Sequence, residues 1–115
     1  MNYIKMCITA ESYLWNEGYV FPFGSVFISS DTGSPFSINW RGPWPGKGNN
    51  VPLWSVEQLM GMVDHTPILL TSAIFGWAAK HYKYVKKFSN QMLWLAFVMH
   101  ELHGKKWDDV SEIWV

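Results

Sequence analysis

Residues Thr66 to Phe88 read TPILLTSAIFGWAAKHYKYVKKF. The first half of this stretch is apolar on nearly every face of a helical wheel, and a helix that is apolar all round is buried all round. Thr66 can cap the helix, and Pro67 then falls at the first helical position, where its missing N–H costs nothing. Gly76 interrupts the apolar run and suggests a close contact with another helix. The stretch predicts a buried central helix, and its apolar run is too short for a membrane span, which needs roughly twenty residues.

Two further helices are predicted after residue 54. Ser55 and Gln58 fit a capping box, and the apolar residues that follow have the spacing of one helical face: Val56, Leu59, Met60 and Val63. Ser89 is predicted to cap a third helix from Asn90 to His103, which Gly104 ends. Because the apolar surface of the third helix is broad, it is expected to pack antiparallel to the central helix after a tight turn.

The two ends of the chain carry shorter patterns. Residues 2–9 alternate in polarity, with Ile4, Met6 and Ile8 on one face, and this alternation predicts a half-buried strand. Residues 107–115 are predicted to form a last short helix that Asp108 caps, with three apolar residues facing inward: Val110, Ile113 and Trp114.

Residues 19–40 predict an antiparallel sheet. A turn at Asp31 and Gly33 separates Val26 and Ile28 from a second set of residues that share a face: Phe36, Ile38 and Trp40. Pro22 marks an edge or a bend. The predicted fold class is α+β, with an N-terminal antiparallel β-hairpin or meander packed on a C-terminal unit of three to four helices. A single domain is expected over residues 1–115, mainly β in 1–40, a long loop in 41–54 and mainly α in 55–115.

The composition narrows the possible functions. The chain has 115 residues, a formal net charge of zero and 16 % charged residues. Nucleic acid is therefore not the favoured partner, because binding to it needs a basic surplus. Aromatic residues make up 17 % of the chain and include eight Trp, and exposed aromatic clusters mark interaction surfaces.

Cys7 is the only cysteine, and residues 1–10 lack the apolar segment of a signal peptide, so a reducing, cytoplasmic location is expected.

The segment of residues 41–53, RGPWPGKGNNVPL, is a candidate functional loop. Arg41, Trp44 and Lys47 are its candidate binding residues. Lys47 lies between two glycines, but a phosphate-binding loop requires GxxxxGK followed by Ser or Thr and then a helix, and this segment fails on spacing and on the last residue. Its two flanking prolines make Trp44 a rigid aromatic group that packs inward or contacts a partner.

A lysine-rich stripe is the second candidate binding surface. Lys80, Lys83 and Lys87 have helical spacing along the end of the central helix, with Tyr84 beside them. Several acidic residues lie near the C-terminus instead, so the neutral chain is charge-separated. The stripe could meet an acidic protein face or nucleic-acid phosphates. It could also pair with the C-terminal acids or simply remain solvated.

The histidines are the main candidates for metal binding. His100 and His103 flank a glutamate in a pattern that resembles HExxH, but that motif needs histidines four residues apart and these are three apart. His65, His81 and Cys7 could approach them in space, which the sequence does not show. No metal or other cofactor is predicted.

Three classes of function remain after these arguments. The first is a small non-enzymatic protein that binds a macromolecular partner, with a protein that has an acidic face as the favoured partner. Inhibitors carried by phages or mobile elements, which act by occluding a partner, have this profile by analogy. The second is a small-ligand binder with a pocket lined by Trp40, Trp44 and Trp54. The third is a metal hydrolase that uses the histidines; no catalytic constellation is visible, so an enzyme is not predicted.

Overall fold

A computed structural model describes residues 3–15, 18–29, 31–45, 50–63, 71–83 and 85–115. Within these ranges the chain forms an α+β fold, as predicted, with four α-helices and two antiparallel sheets. The elements in chain order are α1 (Tyr3–Leu14), β1 (Val26–Ser29), β2 (Pro35–Ser37), β3 (Asn50–Leu53), α2 (Val56–Met62), α3 (Thr71–His81), a 3₁₀ helix (Val85–Lys87), α4 (Asn90–His103), β4 (Trp107–Asp108) and β5 (Ile113–Trp114).

The N-terminal segment is a helix, so the strand predicted for residues 2–9 is wrong. The buried side chains of α1 follow helical spacing: Met6, Cys7, Ala10 and Leu14. Ile4 and Ile8, which the alternating pattern placed with Met6, are exposed. Met6 belongs to both the alternating pattern and the helical pattern of apolar residues. The contacts of α1 with α4 and β3 bury the helical pattern. In the described part of residues 1–40, helix α1 is longer than strands β1 and β2 together.

The predicted hairpin is present. Strands β1 and β2 pair antiparallel with Phe27 opposite Phe36, and Gly33 closes the turn with φ +69°. Its N–H donates to the Ser29 carbonyl at 2.8 Å. The predicted bend at Pro22 is also confirmed, because its carbonyl accepts hydrogen bonds from the backbone N–H and the hydroxyl of Ser25.

The segment predicted as a long loop contains the third strand of this sheet. Strand β3 pairs antiparallel with β1, with Val51 opposite Ile28 and Leu53 opposite Val26. The strand order is β2-β1-β3, so β1 is central and its backbone has a strand on each side. Strand β2 pairs with only one side of β1. The backbone groups on the other side of β1 also need hydrogen-bond partners where they are buried, and residues 50–53 provide them as a strand.

The most buried helix is α4, whose bounds and caps are those predicted. The Ser89 hydroxyl accepts the Met92 N–H at 3.2 Å, and Gly104 ends the helix in the left-handed conformation. The helix packs against α1, α2 and α3, and seven of its side chains are buried: Met92, Leu93, Trp94, Leu95, Ala96, Val98 and Met99. A capping box also starts α2, where the Ser55 side chain accepts from Gln58 as predicted.

In its described part, the helix predicted to be central ends at His81 and is less buried than its sequence suggested. In α3 the buried described side chains are Ile74 and Ala78, whereas Phe75 is 42 % exposed. Gly76 is exposed, and a Cβ placed there meets no described atom within 4 Å, so the predicted close helix contact is not found among the described residues. The predicted Thr66–Pro67 start lies outside the described residues. The α4 helix therefore takes the central position.

The C-terminal segment is a hairpin, so the helix predicted there is wrong. Strands β4 and β5 pair antiparallel, with Trp107 opposite Trp114. The Asp108 carboxylate accepts the Val110 N–H at 3.0 Å, a local bond that closes a turn as readily as it caps a helix. Val110 and Ile113 are exposed instead of facing inward, while Trp114 is buried as predicted and donates to the Met6 carbonyl at 3.2 Å.

The buried apolar side chains of α1, the three-stranded sheet, the helices and the C-terminal hairpin form one cluster. In the part of the chain that the structure describes, no helix is long and apolar enough to cross a membrane.

Candidate functional site

A cavity of about 320 Å³ lies between the end of α3 and the β4–β5 hairpin. We call it the hairpin cavity. Its lining residues come from both segments: His81, Tyr82, Lys83, Phe88, Lys106, Trp107, Asp108, Asp109, Val110 and Val115. The rings of Tyr82, Phe88 and Trp107 give it an aromatic floor. Val110 is 96 % exposed at the hairpin turn and forms an apolar lip.

The floor forms because Tyr82 turns into the core directly after α3. Its hydroxyl accepts the Trp107 N–H at 3.0 Å, a bond between residues 25 positions apart that is buried. The Phe88 ring lies 5.0 Å from the Tyr82 ring. Burial raises the pKa of Tyr82, and the bond from the Trp107 N–H opposes part of that rise. The phenol is therefore neutral at physiological pH and serves as an acceptor within the fold.

Both basic and acidic side chains line the rim of the hairpin cavity, but the two acidic side chains accept hydrogen bonds from other residues of the hairpin. Bonds from the Ser111 hydroxyl and the Val110 N–H lower the pKa of Asp108. The Asp109 carboxylate accepts the indole N–H of Trp107 at 3.3 Å. On the basic side, the Lys106 ammonium lies 5.6 Å from the centre of the Tyr82 ring, within cation–π range. Lys83 is exposed.

The predicted lysine stripe does not lie on one helix. Helix α3 ends at His81, so only Lys80 belongs to it. Lys83 follows the helix and lines the hairpin cavity, and Lys87 is exposed in the 3₁₀ helix. The buried Tyr82 side chain is the reason, because its contact with Trp107 diverts the backbone from the helical path. Tyr84 lies outside the described residues.

Trp44 is part of the core, which resolves the two alternatives predicted for it. Its side chain is 8 % exposed, and its indole N–H donates to the Asn50 carbonyl at 3.0 Å. The ring of Trp44 packs inward against other aromatic rings, and its assignment as a partner-binding residue stays a prediction that this burial does not support. Arg41 is exposed on the same segment, and Lys47 lies outside the described residues.

Two of the three tryptophans of the small-ligand hypothesis are buried, and the third is exposed. The rings of Trp44 and Trp54 contact each other, with centroids 5.8 Å apart, and Trp54 is fully buried. Trp40 is 46 % exposed. The space between the first two rings is filled by the rings themselves, so they act as core.

The histidines are dispersed over two places. The rings of His81 and His100 lie 5.6 Å apart, whereas the His103 ring lies 5.6 Å from Tyr13. The position of His65 lies outside the described residues. Over the ranges that the structure describes, no three or more His, Cys, Asp or Glu side chains form a group that could hold a metal ion.

The sequence interpretation missed most residues of the hairpin cavity. It assigned residues 107–115 to a helix and did not connect Phe88 or Lys106 with binding. A signal was present in the turn-forming residues Asp108, Asp109 and Ser111, which separate two tryptophans. No local pattern in the sequence indicated that this hairpin packs against Tyr82.

Comparisons of the chain with protein-family models, with curated proteins and with solved structures give no match. The geometry of the hairpin cavity is therefore the basis on which a function is assigned.

Proposed function

We propose that the protein is a non-enzymatic interaction protein, and that the hairpin cavity binds an apolar side chain from an acidic segment of a partner protein. The observation that carries this proposal is the combination of an aromatic floor with lysines at the rim. Tyr82, Phe88 and Trp107 offer apolar surface, and Lys83 and Lys106 lie where acidic neighbours of the bound side chain would pass.

The size of the cavity supports a side chain over a larger ligand. Cavities for cofactors and drug-sized molecules span roughly 300–1,000 Å³, and the hairpin cavity, at about 320 Å³, is at the lower end. A single aromatic or branched apolar side chain, with part of its backbone, is the better match. Such anchors in partly enclosed aromatic pockets contribute most of the binding energy at protein interfaces.

The charge distribution supports an acidic partner. Residues 80–106 contain one acid, Glu101, and six lysines: Lys80, Lys83, Lys86, Lys87, Lys105 and Lys106. This local excess attracts acidic segments although the chain is neutral. Nucleic acid fits less well, because the chain as a whole has a formal net charge of zero and lacks the basic surplus that binding to phosphates needs.

Two narrower expectations belong to this proposal. An inhibitory role, as in occluding proteins of phages and mobile elements, follows if the bound segment belongs to the working surface of the partner. A cytoplasmic setting suits the unpaired thiol of Cys7, because reducing compartments keep thiols free.

Selection from a random peptide display library tests the proposal with probes of defined chemistry. Bound peptides are expected to share an aromatic or large aliphatic residue with Asp or Glu within a few positions. A synthetic peptide from the selection should bind the parent protein in a titration and should bind Lys83→Glu and Val110→Asp at least tenfold more weakly. Arg41→Glu is the matched control, because Arg41 is an exposed cation that does not line the cavity.

The proposal is contradicted by two outcomes. One is selection of basic or purely polar peptides. The other is an equal loss of binding in Arg41→Glu and in the two cavity variants, which would show a general charge effect.

A further inference from the structure

We propose that His81 and His100 together bind one divalent transition-metal ion of the zinc, nickel and copper class. The two residues belong to different helices, α3 and α4, which pack against each other. This inference is independent of partner binding in the hairpin cavity, although His81 lines that cavity as well.

The spacing of the two rings fits a shared ion. Their centroids are 5.6 Å apart. Two imidazoles that bind one zinc ion at about 2.1 Å place their ring centroids roughly 5–6 Å apart. The Trp77 ring lies 5.0 Å from each histidine, stacked on His81 and tilted against His100. Both imidazoles thus pack against the same ring, at a separation of centroids that lies within this range.

The hydrogen bond of His81 prepares one ring nitrogen for a metal. Its Nδ1 lies 2.9 Å from the Trp77 carbonyl oxygen. Because a carbonyl oxygen only accepts, Nδ1 must carry the proton, and in the neutral ring Nε2 then has a free lone pair. A backbone carbonyl behind the ring is a common feature of metal-binding histidines, since it fixes the tautomer.

The surroundings of His100 provide a nearby negative charge instead of a hydrogen bond. Its Nδ1 is buried and forms no hydrogen bond with a described residue. An acidic oxygen, on Glu101, is 3.7 Å away. An ion on Nε2 would leave the proton on Nδ1. The negative charge of Glu101, at 3.7 Å, is too far for a hydrogen bond but near enough to favour an imidazole polarised by a cation.

The ligand number predicts the type of site. Since no group of three possible ligands occurs in the described ranges, His81 and His100 are the two protein ligands that this part of the chain supplies. Structural zinc sites have four protein ligands. An open pair of this kind is expected to exchange its ion and to follow the usual preference for copper and nickel over weaker-binding ions.

Calorimetric titration with Ni²⁺ tests the inference, with zinc as a second ion. The parent protein is expected to bind one ion per chain. His81→Gln and His100→Gln should each reduce the affinity at least tenfold. His103→Gln is the matched control and should bind like the parent, because its ring packs near Tyr13 instead. Thermal melting without metal verifies that each variant folds; His81 is exposed, so its variant should melt like the parent.

Tryptophan fluorescence gives a second measurement at the same site. Ni²⁺ bound to the pair lies beside Trp77, so it should quench part of the emission of the parent, and Trp77→Phe should lose that part while still binding one ion. The inference is overturned if the parent binds no ion, if either His81→Gln or His100→Gln binds like the parent, or if His103→Gln loses as much affinity as these variants.

Discussion

The Trp44 side chain is enclosed by aromatic rings and held at its polar end by the backbone. Its ring centroid lies 4.5 Å from that of Trp15 and 5.5 Å from that of Phe21. The Asn50 carbonyl accepts its indole N–H at 3.0 Å, so the polar atom of the ring is satisfied where it is buried. A tryptophan between two prolines is thus used to join the segment after β2 to the core.

Replacement of Trp44 is expected to lower stability, not partner binding. Trp44→Ala removes the ring contacts and the hydrogen bond, and the free energy of unfolding should fall by about 3–5 kcal/mol, the range for large aromatic residues in cores. Trp40→Ala is the matched control; because Trp40 is 46 % exposed, its loss should cost much less. Urea denaturation measures both. Equal losses for the two variants would contradict the assignment of Trp44 to the core.

Cys7 shows how burial controls the chemistry of a single thiol. The side chain is fully buried, and the Tyr3 hydroxyl beside it donates to the Trp54 carbonyl at 2.7 Å. Burial raises the pKa of Cys7 from near 9 to about 12, while bonds from Tyr3 and the Trp54 backbone oppose part of the rise. The folded protein therefore keeps this thiol neutral and inaccessible to reagents.

Stability is expected to decrease at alkaline pH. Above pH 9 the unfolded chain loses the Cys7 proton, while the folded chain retains it up to about pH 12. The folded state then binds more protons, so the free energy of unfolding falls with pH, by at most roughly 1.4 kcal/mol per unit for one group. Urea denaturation between pH 7.5 and 10.5 should give a steeper decline for the parent than for Cys7→Ala. Parallel curves would show that Cys7 does not contribute.

At the scale of elements, two glycines predict stability changes of opposite sign. Gly104 ends α4 with φ +62°, where any side chain is strained. Gly76 lies inside α3 with an ordinary helical backbone and open space beside it. Gly104→Ala should therefore destabilise the protein by about 1 kcal/mol, and Gly76→Ala should stabilise it by up to about 1 kcal/mol.

Thermal melting of the two glycine variants checks both signs in one experiment. Each variant adds one methyl group, so composition does not distinguish them. A decrease in melting temperature for Gly76→Ala would mean that a neighbour occupies the space beside α3, and an increase for Gly104→Ala would mean that α4 does not end in a left-handed residue.

Helices and hairpins whose ends carry capping or turn residues could be predicted from the sequence. Capping residues fix the start of α2 at Ser55 and of α4 at Ser89, and Gly33 fixes the first hairpin. These signals act within a few residues, so they do not depend on the rest of the fold. Helix α1 lacks such a signal, and contacts with α4 and β3 decided between its two apolar patterns. Asp108 gave a local signal that fits a turn as well as a helix cap.

At the scale of the whole molecule, the candidate site arises from segments that only the fold brings together. The Tyr82 hydroxyl and the Trp107 N–H are joined across 25 positions of sequence. Lys83 could be predicted as a binding residue from the basic cluster around it, but its neighbour Lys106 on the cavity rim could not. Local patterns specify charge and hydrophobicity along the chain, whereas a cavity depends on which surfaces face each other.

The rim charges and the apolar lip should affect different steps of partner binding. Lys83 and Lys106 lie on the rim and act at a distance, so the double variant to Glu should slow association with an acidic peptide and weaken the dependence of that rate on salt. Val110 acts only in contact, so Val110→Ala, which adds no charge, should mainly speed dissociation. Stopped-flow measurements at low and high salt separate the two rates.

Arg41→Glu is the control, because Arg41 is an exposed charge outside the cavity. This variant should leave dissociation unchanged and alter association far less than the double variant does. If the lysine variant changed only the dissociation rate, the peptide would be binding elsewhere, because exposed cations on the rim must first act on the encounter.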